Sequence, residues 1–275
     1  MRLSILHEIR YEYDGPVTSN RNIVRISPHA GPRQTVETSR ITTDPPGIFR
    51  PYLDAYENLC NLIHVARPHH RLTITGTFVA TRIPREIRGT VPEGLGLMGL
   101  HDFLLPIEHE EFLEGSRETN FSEEVWAASD RWRAAGVPDL HQLCLAIARE
   151  IQSTFSYRPG ATMVGTTSSE VWKTKEGVCQ DFAHAMISLL RALGIPARYV
   201  SGYIISEGMM HAWVQAYIPG PGWVDYDPTH GRVVDEEYIA VAVGRDYADC
   251  CPIEGTLLGA RLRGAEFRVA VRPVP

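Results

Sequence analysis

Three reactive side chains follow one another in the second half of the chain, at Cys179, His211 and Asp227. A thiol that attacks, an imidazole that carries protons and a carboxylate that orients the imidazole are the three parts of a Cys–His–Asp triad. Such a triad attacks amide or other acyl carbonyls and forms a thioester. Because the chain holds five cysteines and eleven histidines, spacing alone does not establish the triad. The elements that carry these residues must position them.

Cys179 stands where a loop enters a helix. Gly177 ends the loop, and apolar residues recur at intervals of three and four over residues 182–193, which predicts a helix with one buried face. Gly194 and Pro196 then end the helix. A cysteine in the first turn faces unpaired backbone N–H groups and the positive end of the helix dipole. Both favour the nucleophilic thiolate.

His211 and Asp227 belong to two predicted strands, at residues 211–218 and 223–227, separated by a turn rich in glycine and proline. Helix, strand and strand in this order would hold the base and its orienting carboxylate side by side. Asp225 shares a strand face with Asp227, because side chains alternate with a period of two. Spacing therefore does not choose between the two carboxylates.

The remaining pattern predicts an α+β fold. Short alternating segments with no helical period fill residues 1–82 and predict an antiparallel β-sandwich. Helices are predicted at 122–135 and 139–155, and strands resume after the Cys179 helix, so helices should pack on an antiparallel sheet. We predict these domains: 1–84, the N-terminal sandwich; 85–121, a linker with short helical turns; 122–245, the catalytic core; and 246–275, a C-terminal extension that ends in a closing strand.

Composition argues against several functional classes. The net charge is −6 and no Lys/Arg run is present, so we expect neither nucleic-acid nor anionic-membrane binding. No stretch approaches the ~18–20 apolar residues of a membrane span. The N-terminal segment alternates and carries charges, unlike a signal peptide. An odd number of cysteines, five, without an export signal predicts reduced thiols in a cytoplasmic protein. The expected partner is a peptide or protein substrate, and the oligomeric state is not predicted.

Four motifs together resemble the core of the transglutaminase-like family. They lie at residues 177–183, 194–203, 211–213 and 227–229. In that family the motif cysteine, the histidine of His-Ala-Trp and the aspartate of Asp-Pro-Thr form the catalytic triad on a papain-related fold. The resemblance implies that Cys179, His211 and Asp227 are the triad, and it selects Asp227 over Asp225. The first domain, with residues 11–17 near its start, resembles the β-rich domain that precedes this core in bacterial members.

One turn of the first domain departs from the family's pattern. Residues 54–58 resemble its Asp-x-Phe/Tyr-Gly-Asn turn, but Glu57 stands where glycine is usual. A glutamate at a positive φ angle is strained because its Cβ crowds the backbone, so Glu57 should be strained if the turn needs that conformation. The departure concerns one loop and leaves the active-site motifs intact.

The triad implies a cysteine-dependent acyl-transfer enzyme that acts on amide bonds of peptides or proteins. Water as the acceptor makes it a peptidase or amidase, whereas a primary amine makes it a protein-glutamine transglutaminase. The triad is the same for both, but small microbial relatives with this layout look more like hydrolases, which favours hydrolysis over cross-linking. A non-catalytic interaction scaffold with the same fold is the alternative from another class, and an intact triad argues against it.

The oxyanion of the reaction needs preorganised donors, and the Cys179 backbone N–H at the helix start is one candidate. The sequence does not identify the second donor. Further candidates for the oxyanion site or the cleft are Gln180, Asp181, Trp172 and Trp213. Asp181 is more simply a carboxylate of the first helical turn, and Trp213 is more simply part of the hairpin core. No cofactor is implied, and no metal motif such as C-x2-C or H-E-x-x-H is present; a zinc site on Cys179 and His211 would need two more ligands.

Overall fold

The computed structural model describes residues 1–84, 95–100 and 107–274, and its chain begins with strands. These are β1 (Arg2–Val17), β2 (Ser19–Val24), β3 (Gln34–Asp44), β4 (Ile48–Leu53), β5 (Leu59–Val65) and β6 (His69–Arg82). Two short helical turns follow, α1 (Leu97–Leu100) and a 3₁₀ helix (Ile107–Phe112). Residues 85–94 and 101–106 of the predicted linker lie outside the described residues.

The second half of the chain contains the longer helices and a second set of strands. The helices are α2 (Glu123–Ala135), α3 (Leu140–Thr154), α4 (Ser168–Thr174), α5 (Cys179–Ala192) and α6 (Tyr247–Cys250). The strands are β7 (Ser156–Tyr157), β8 (Glu176–Gly177), β9 (Ala197–Ile204), β10 (Glu207–Gly208), β11 (His211–Ile218), β12 (Gly222–Asp227), β13 (Arg232–Val233), β14 (Tyr238–Gly244), β15 (Ile253–Leu258) and β16 (Leu262–Pro273). Within the described chain no helix is both long enough and apolar enough to cross a bilayer.

Two antiparallel sheets form the sandwich, with strand orders β10-β16-β1-β6-β3 and β15-β2-β5-β4. Alternation in the sequence produces this arrangement, because it gives each strand one apolar face to bury between the sheets. The buried side chains of β1 and β6 include Leu3, Ile5, Ile9, Leu72, Ile74 and Phe78. The segment predicted as a C-terminal extension returns to the sandwich, where β15 pairs with β2 and β16 pairs with β1. The domain boundaries themselves stay a prediction.

The core sheet is antiparallel, with the order β13-β12-β11-β9-β14, and helices cover one of its faces. Along β11, Ala212, Val214 and Ala216 join the large apolar cluster that contains α5. Trp213 belongs instead to a separate small cluster with Tyr238. Because strand side chains alternate, His211 and Gln215 lie on the same face as Trp213. The predicted α+β fold, a sandwich followed by helices packed on an antiparallel sheet, is confirmed.

Amide side chains of the sandwich bind the outer edge of the core sheet at β14. Gln34 donates to the Ala240 carbonyl at 2.8 Å and accepts from the Ala240 N–H at 3.0 Å. Asn58 makes the same pair of contacts with Val243, both at 2.8 Å. Each amide therefore mimics a neighbouring strand. Asn58 follows Glu57, whose φ of 63° is the left-handed conformation that the sequence analysis linked to strain.

Candidate active site

A tight turn places Cys179 at the first position of α5. Asp181 accepts hydrogen bonds from the Val178 N–H and the Thr162 hydroxyl, each at 2.7 Å. A Cβ atom on Gly177 would lie 2.6 Å from the Asp181 side chain, so this turn requires glycine. Burial raises the pKa of Asp181 although both hydrogen bonds oppose that shift. Asp181 thus caps the start of the helix and holds the Thr162 loop against it.

The imidazole of His211 lies between Cys179 and Asp227. His211 Nε2 donates to Asp227 Oδ2 at 2.7 Å, and the ring also interacts with the Cys179 thiol, which helps to raise its pKa. Burial lowers the pKa of His211, but its hydrogen bonds and charge interactions with Asp227 and Cys179 outweigh burial and raise the pKa to about 9. The imidazole selected from the motifs therefore binds Asp227 directly and interacts with Cys179, and the raised pKa favours its charged form.

Asp227 accepts hydrogen bonds from several donors in addition to His211. Its Oδ2 also accepts from His230 Nδ1 and from the Tyr238 hydroxyl, each at 2.7 Å, and its Oδ1 accepts from the Thr229 N–H at 2.7 Å. Burial favours the neutral carboxyl group, but the hydrogen bonds from His211, His230 and Tyr238 outweigh it and hold the pKa of Asp227 well below its usual range. His230 is not among the residues predicted from the sequence. Its position three residues after Asp227 is the one sequence feature that could have indicated this contact.

Asp225 has quite different surroundings, although it is equally buried and lies on the same strand. Its Oδ2 accepts from the guanidinium groups of Arg33 and Arg82, the second at 3.1 Å. Its Oδ1 accepts from the Trp213 indole at 2.9 Å and from the Gln215 amide at 2.8 Å. Since both arginines come from the sandwich, this carboxylate joins the two parts of the molecule.

The two tryptophan candidates do not offer free N–H groups to an oxyanion. Trp172 is buried and donates to the Ala185 carbonyl at 3.1 Å, and the Trp213 indole donates to the carboxylate just described. Trp213 instead packs against His211. The two ring centroids are 6.3 Å apart, and the ring planes differ by 26°. Gln180 is half-buried at the second position of α5 and stays a candidate.

Tyr157, which is not among the residues predicted from the sequence, is a neighbour of the Cys179 turn. It pairs with Gly177 in the short parallel β7–β8 ladder, directly before Cys179. Burial raises the pKa of Tyr157, and so does the interaction of its hydroxyl with the Cys179 thiol, whereas the Cys179 backbone N–H lowers it. The ladder therefore brings the phenol close to the start of α5. Neither periodicity nor motif pointed to it, because the contact depends on the loop that returns to the helix start.

Among the described residues, one group has the composition of a metal site. His211, Asp227 and His230 place their ligand atoms within 4.8 Å of one another. Both imidazoles lie 2.7 Å from Asp227 Oδ2, which is the length of a charge-assisted hydrogen bond. The same atoms thus satisfy one another as donors and acceptor.

Comparison with known proteins gives a family match for each of the two parts of the chain. Residues 3–81 match the bacterial transglutaminase-like N-terminal region, and residues 127–228 match the transglutaminase-like superfamily. The uncharacterized protein ML0607 of Mycobacterium leprae is 34% identical, over 96% of this chain and 95% of its own length. A protein-glutamine gamma-glutamyltransferase of Pseudomonas aeruginosa is 31% identical, over 38% of this chain and 18% of its own length.

A crystal structure of another protein has the same fold as this chain. A Cytophaga hutchinsonii protein, proposed by its investigators to be a cysteine protease, has a TM-score of 0.79 and 21% sequence identity. The match covers 100% of this chain and 92% of that protein, so the sandwich and the core occur together in both. With the near full-length relative and both family matches, the chain belongs to the transglutaminase-like superfamily and carries the N-terminal region found in its bacterial members.

Proposed function

We propose that this protein is a cysteine-dependent acyl-transfer enzyme that hydrolyses amide bonds of peptides or proteins. The hydrogen bond of His211 to Asp227 carries the proposal, together with the position of Cys179 at the start of α5 and its interaction with the imidazole. A thiolate beside an imidazolium is both nucleophile and acid, which is the pair that amide cleavage through a thioester needs. The triad assignment of Cys179, His211 and Asp227 is part of this proposal.

In the first half of the reaction, the Cys179 sulfur attacks the amide carbonyl carbon. The C–S bond forms, the carbonyl electrons move to oxygen, and the collapse of this intermediate breaks the C–N bond. His211 gives its proton to the departing nitrogen, so an amine or ammonia leaves and a thioester remains. Asp227 keeps the imidazole oriented and stabilises its positive charge throughout.

In the second half, water attacks the thioester and His211 accepts the proton of that water. Collapse of the second intermediate releases a carboxylic acid and returns the thiolate–imidazolium pair. A primary amine that attacks in place of water would form a new amide, which is the transglutaminase reaction. The Pseudomonas aeruginosa glutamyltransferase similarity supports this second candidate, so the acceptor must be determined by experiment.

The oxyanion of both intermediates needs donors that are already in place. We assign one to the backbone N–H of Cys179 and the other to the hydroxyl of Tyr157, which interacts with that residue in the resting enzyme. When the sulfur is acylated, the hydroxyl is free to turn from the thiolate to the oxyanion. Gln180 stays an alternative second donor.

The experiment that tests this proposal uses a glutamine-containing peptide library, incubated with and without a primary amine. Products are identified by mass spectrometry, and Cys179→Ala is the control. Cleaved or deamidated peptides that disappear in the control establish the hydrolase, whereas amine-adducted glutamine establishes the transferase. The enzyme proposal is contradicted if the protein turns over no peptide and Cys179 reacts with iodoacetamide no faster than Cys251. Cys251 is the reference because it is also partly exposed. The cytoplasmic location stays a prediction from the sequence and is tested by cell fractionation.

A further inference from the structure

A cavity of about 690 Å³ lies between the sandwich and the core sheet, on the sheet face opposite the helices. Small-molecule sites typically occupy ~300–1,000 Å³ and often lie at domain interfaces. The sandwich contributes Arg33 and Arg82 to its wall, and the core sheet contributes Arg198 and Trp223. Gln215 of β11 lines the cavity, and it lies four residues from His211, which is about 13 Å along the strand. The cavity is thus distinct from the Cys179 corner.

The wall of this cavity is unusually rich in guanidinium groups. Arg33, Arg82 and Arg198 face it, and the carboxylate behind them is that of Asp225. Glu57 is the single further acid among the lining residues that the structure describes. Among the described lining groups, three permanent positive charges therefore meet two carboxylates, and an anion in the cavity would balance that excess.

Arg198 is the arginine best placed to hold such an anion. Its Nε donates to Gln215 Oε1 at 2.8 Å, and its guanidinium carbon lies 4.2 Å from the centre of the Trp223 ring. These contacts fix the plane of the guanidinium group. Over the described ranges of the chain, neither of its terminal nitrogens has an acceptor. Arg33 likewise has a buried Nε without a hydrogen-bond partner.

A planar guanidinium fixed on an aromatic face, with two free N–H edges, matches a carboxylate in bidentate geometry. We propose that the cavity binds a small organic carboxylate, with its carboxylate on Arg198. This site is separate from the thiol chemistry proposed above and does not depend on it. Because its walls come from both the sandwich and the core, an occupant also stabilises their junction.

The test uses scanning calorimetry of the full chain with benzoate, and with benzamide as its neutral isostere, at constant ionic strength. A saturating carboxylate should raise the unfolding midpoint by about 2–4 °C, because it binds only the folded state. Benzamide should not raise it. The shift should disappear in Arg198→Gln and persist in Arg263→Gln, a change at an exposed arginine of β16.

A second measurement does not rely on variants that could fold poorly. Phenylglyoxal modifies arginines, and peptide mass spectrometry of the wild-type protein gives the rate at each site. Benzoate should slow modification of Arg198 several-fold while the rate at Arg263 stays unchanged. Equal effects of benzamide, a calorimetric shift that survives Arg198→Gln, or no protection of Arg198 would each overturn the proposal. An Arg198-dependent shift with inorganic phosphate and none with benzoate would overturn the assignment to a carboxylate.

Discussion

Asp225 and Asp227 lie two residues apart on one face of β12, and both are fully buried, yet they belong to two chemically different regions. Asp227 accepts from two imidazoles and a phenol, His211, His230 and Tyr238. Asp225 accepts from two guanidinium groups, an indole and an amide. The side chain, the strand and the degree of burial are the same, so the difference comes from the partners.

The comparison shows why Asp227 suits the proposed proton transfer and why Asp225 suits the joining of the sandwich to the core. A guanidinium does not release its proton in the physiological range, so the pairs of Asp225 with Arg33 and Arg82 are permanent. An imidazolium releases its proton far more readily than a guanidinium, at a pKa of about 9 for His211, so the pair of Asp227 with His211 can take part in proton transfer. The two regions still touch, because Trp213 donates to Asp225 and stacks beside His211.

The largest effect should come from Asp227→Asn. The amide cannot stabilise the imidazolium or hold the same tautomer of His211, so peptide turnover should fall by about 10³–10⁴-fold. Alkylation of Cys179 by iodoacetamide at neutral pH should slow as well, because the thiolate loses its paired cation. Both rates are measured beside the wild type, with circular dichroism to verify folding. Near-normal turnover in a folded Asp227→Asn protein would remove Asp227 from the triad.

Tyr157→Phe should have the next largest effect on turnover. Removal of one oxyanion donor typically lowers kcat by about 10²–10³-fold. The variant loses one interaction with the Cys179 sulfur but keeps His211 beside it, so alkylation of Cys179 should stay within a factor of a few of the wild-type rate. Parallel measurement of turnover and alkylation separates the two roles. If alkylation falls as much as turnover, Tyr157 acts on the thiolate and not on the oxyanion, and Gln180 becomes the better candidate.

Asp225→Asn should damage stability and spare the chemistry. It leaves the buried Arg82 and the partly buried Arg33 without their carboxylate, and breaking a buried ion pair in this way costs about 3–5 kcal/mol of unfolding free energy. The loss is measured by urea unfolding. Under conditions where the variant is folded, Cys179 should alkylate at a rate close to that of the wild type. A selective loss of Cys179 reactivity without a loss of stability would contradict the separation of the two regions.

The pH dependence of turnover should follow His211. Its folded pKa of about 9 lies above the ordinary value of 6.5, so the imidazolium and the stability that it contributes are fully present below about pH 6.5. Both are lost as the pH rises through about 9. Turnover should therefore decline on the alkaline side of pH 9, because the departing amine loses its acid. A pH–rate profile tests this, and Asp227→Asn should move the alkaline limb to lower pH if residual turnover permits the measurement.

The smallest effect should come from His230→Gln. His230 is about half exposed and supplies one of three hydrogen bonds to Asp227 Oδ2, so its loss should cost turnover less than about tenfold. The unfolding free energy should change little, and His70→Gln, at an exposed histidine of β6, is the matched control. A drop as large as that of Asp227→Asn would show that the second histidine is part of the proton-transfer machinery.

Much of this site could be predicted because its signals are local. The Gly177 turn, the helix that starts at Cys179 and the period-two alternation of β11 and β12 depend on residues within a few positions of one another. Motif resemblance then selected Asp227 from two carboxylates that spacing could not separate. Trp172 and Trp213 are candidate donors in the sequence, because the sequence shows that an indole N–H is present. It does not show that another group of the protein already accepts that hydrogen bond.

The sequence by itself determined the two-part α+β organisation and the order of Cys179, His211 and Asp227, since these rest on hydrophobic periodicity and short motifs. Tertiary structure alone decided what each buried carboxylate does. Arg33 and Arg82 reach Asp225 from positions 192 and 143 residues away, and no local pattern encodes such a contact. The physical reason is that the charge state of a buried group depends on the atoms around it, and folding brings those atoms from distant parts of the chain.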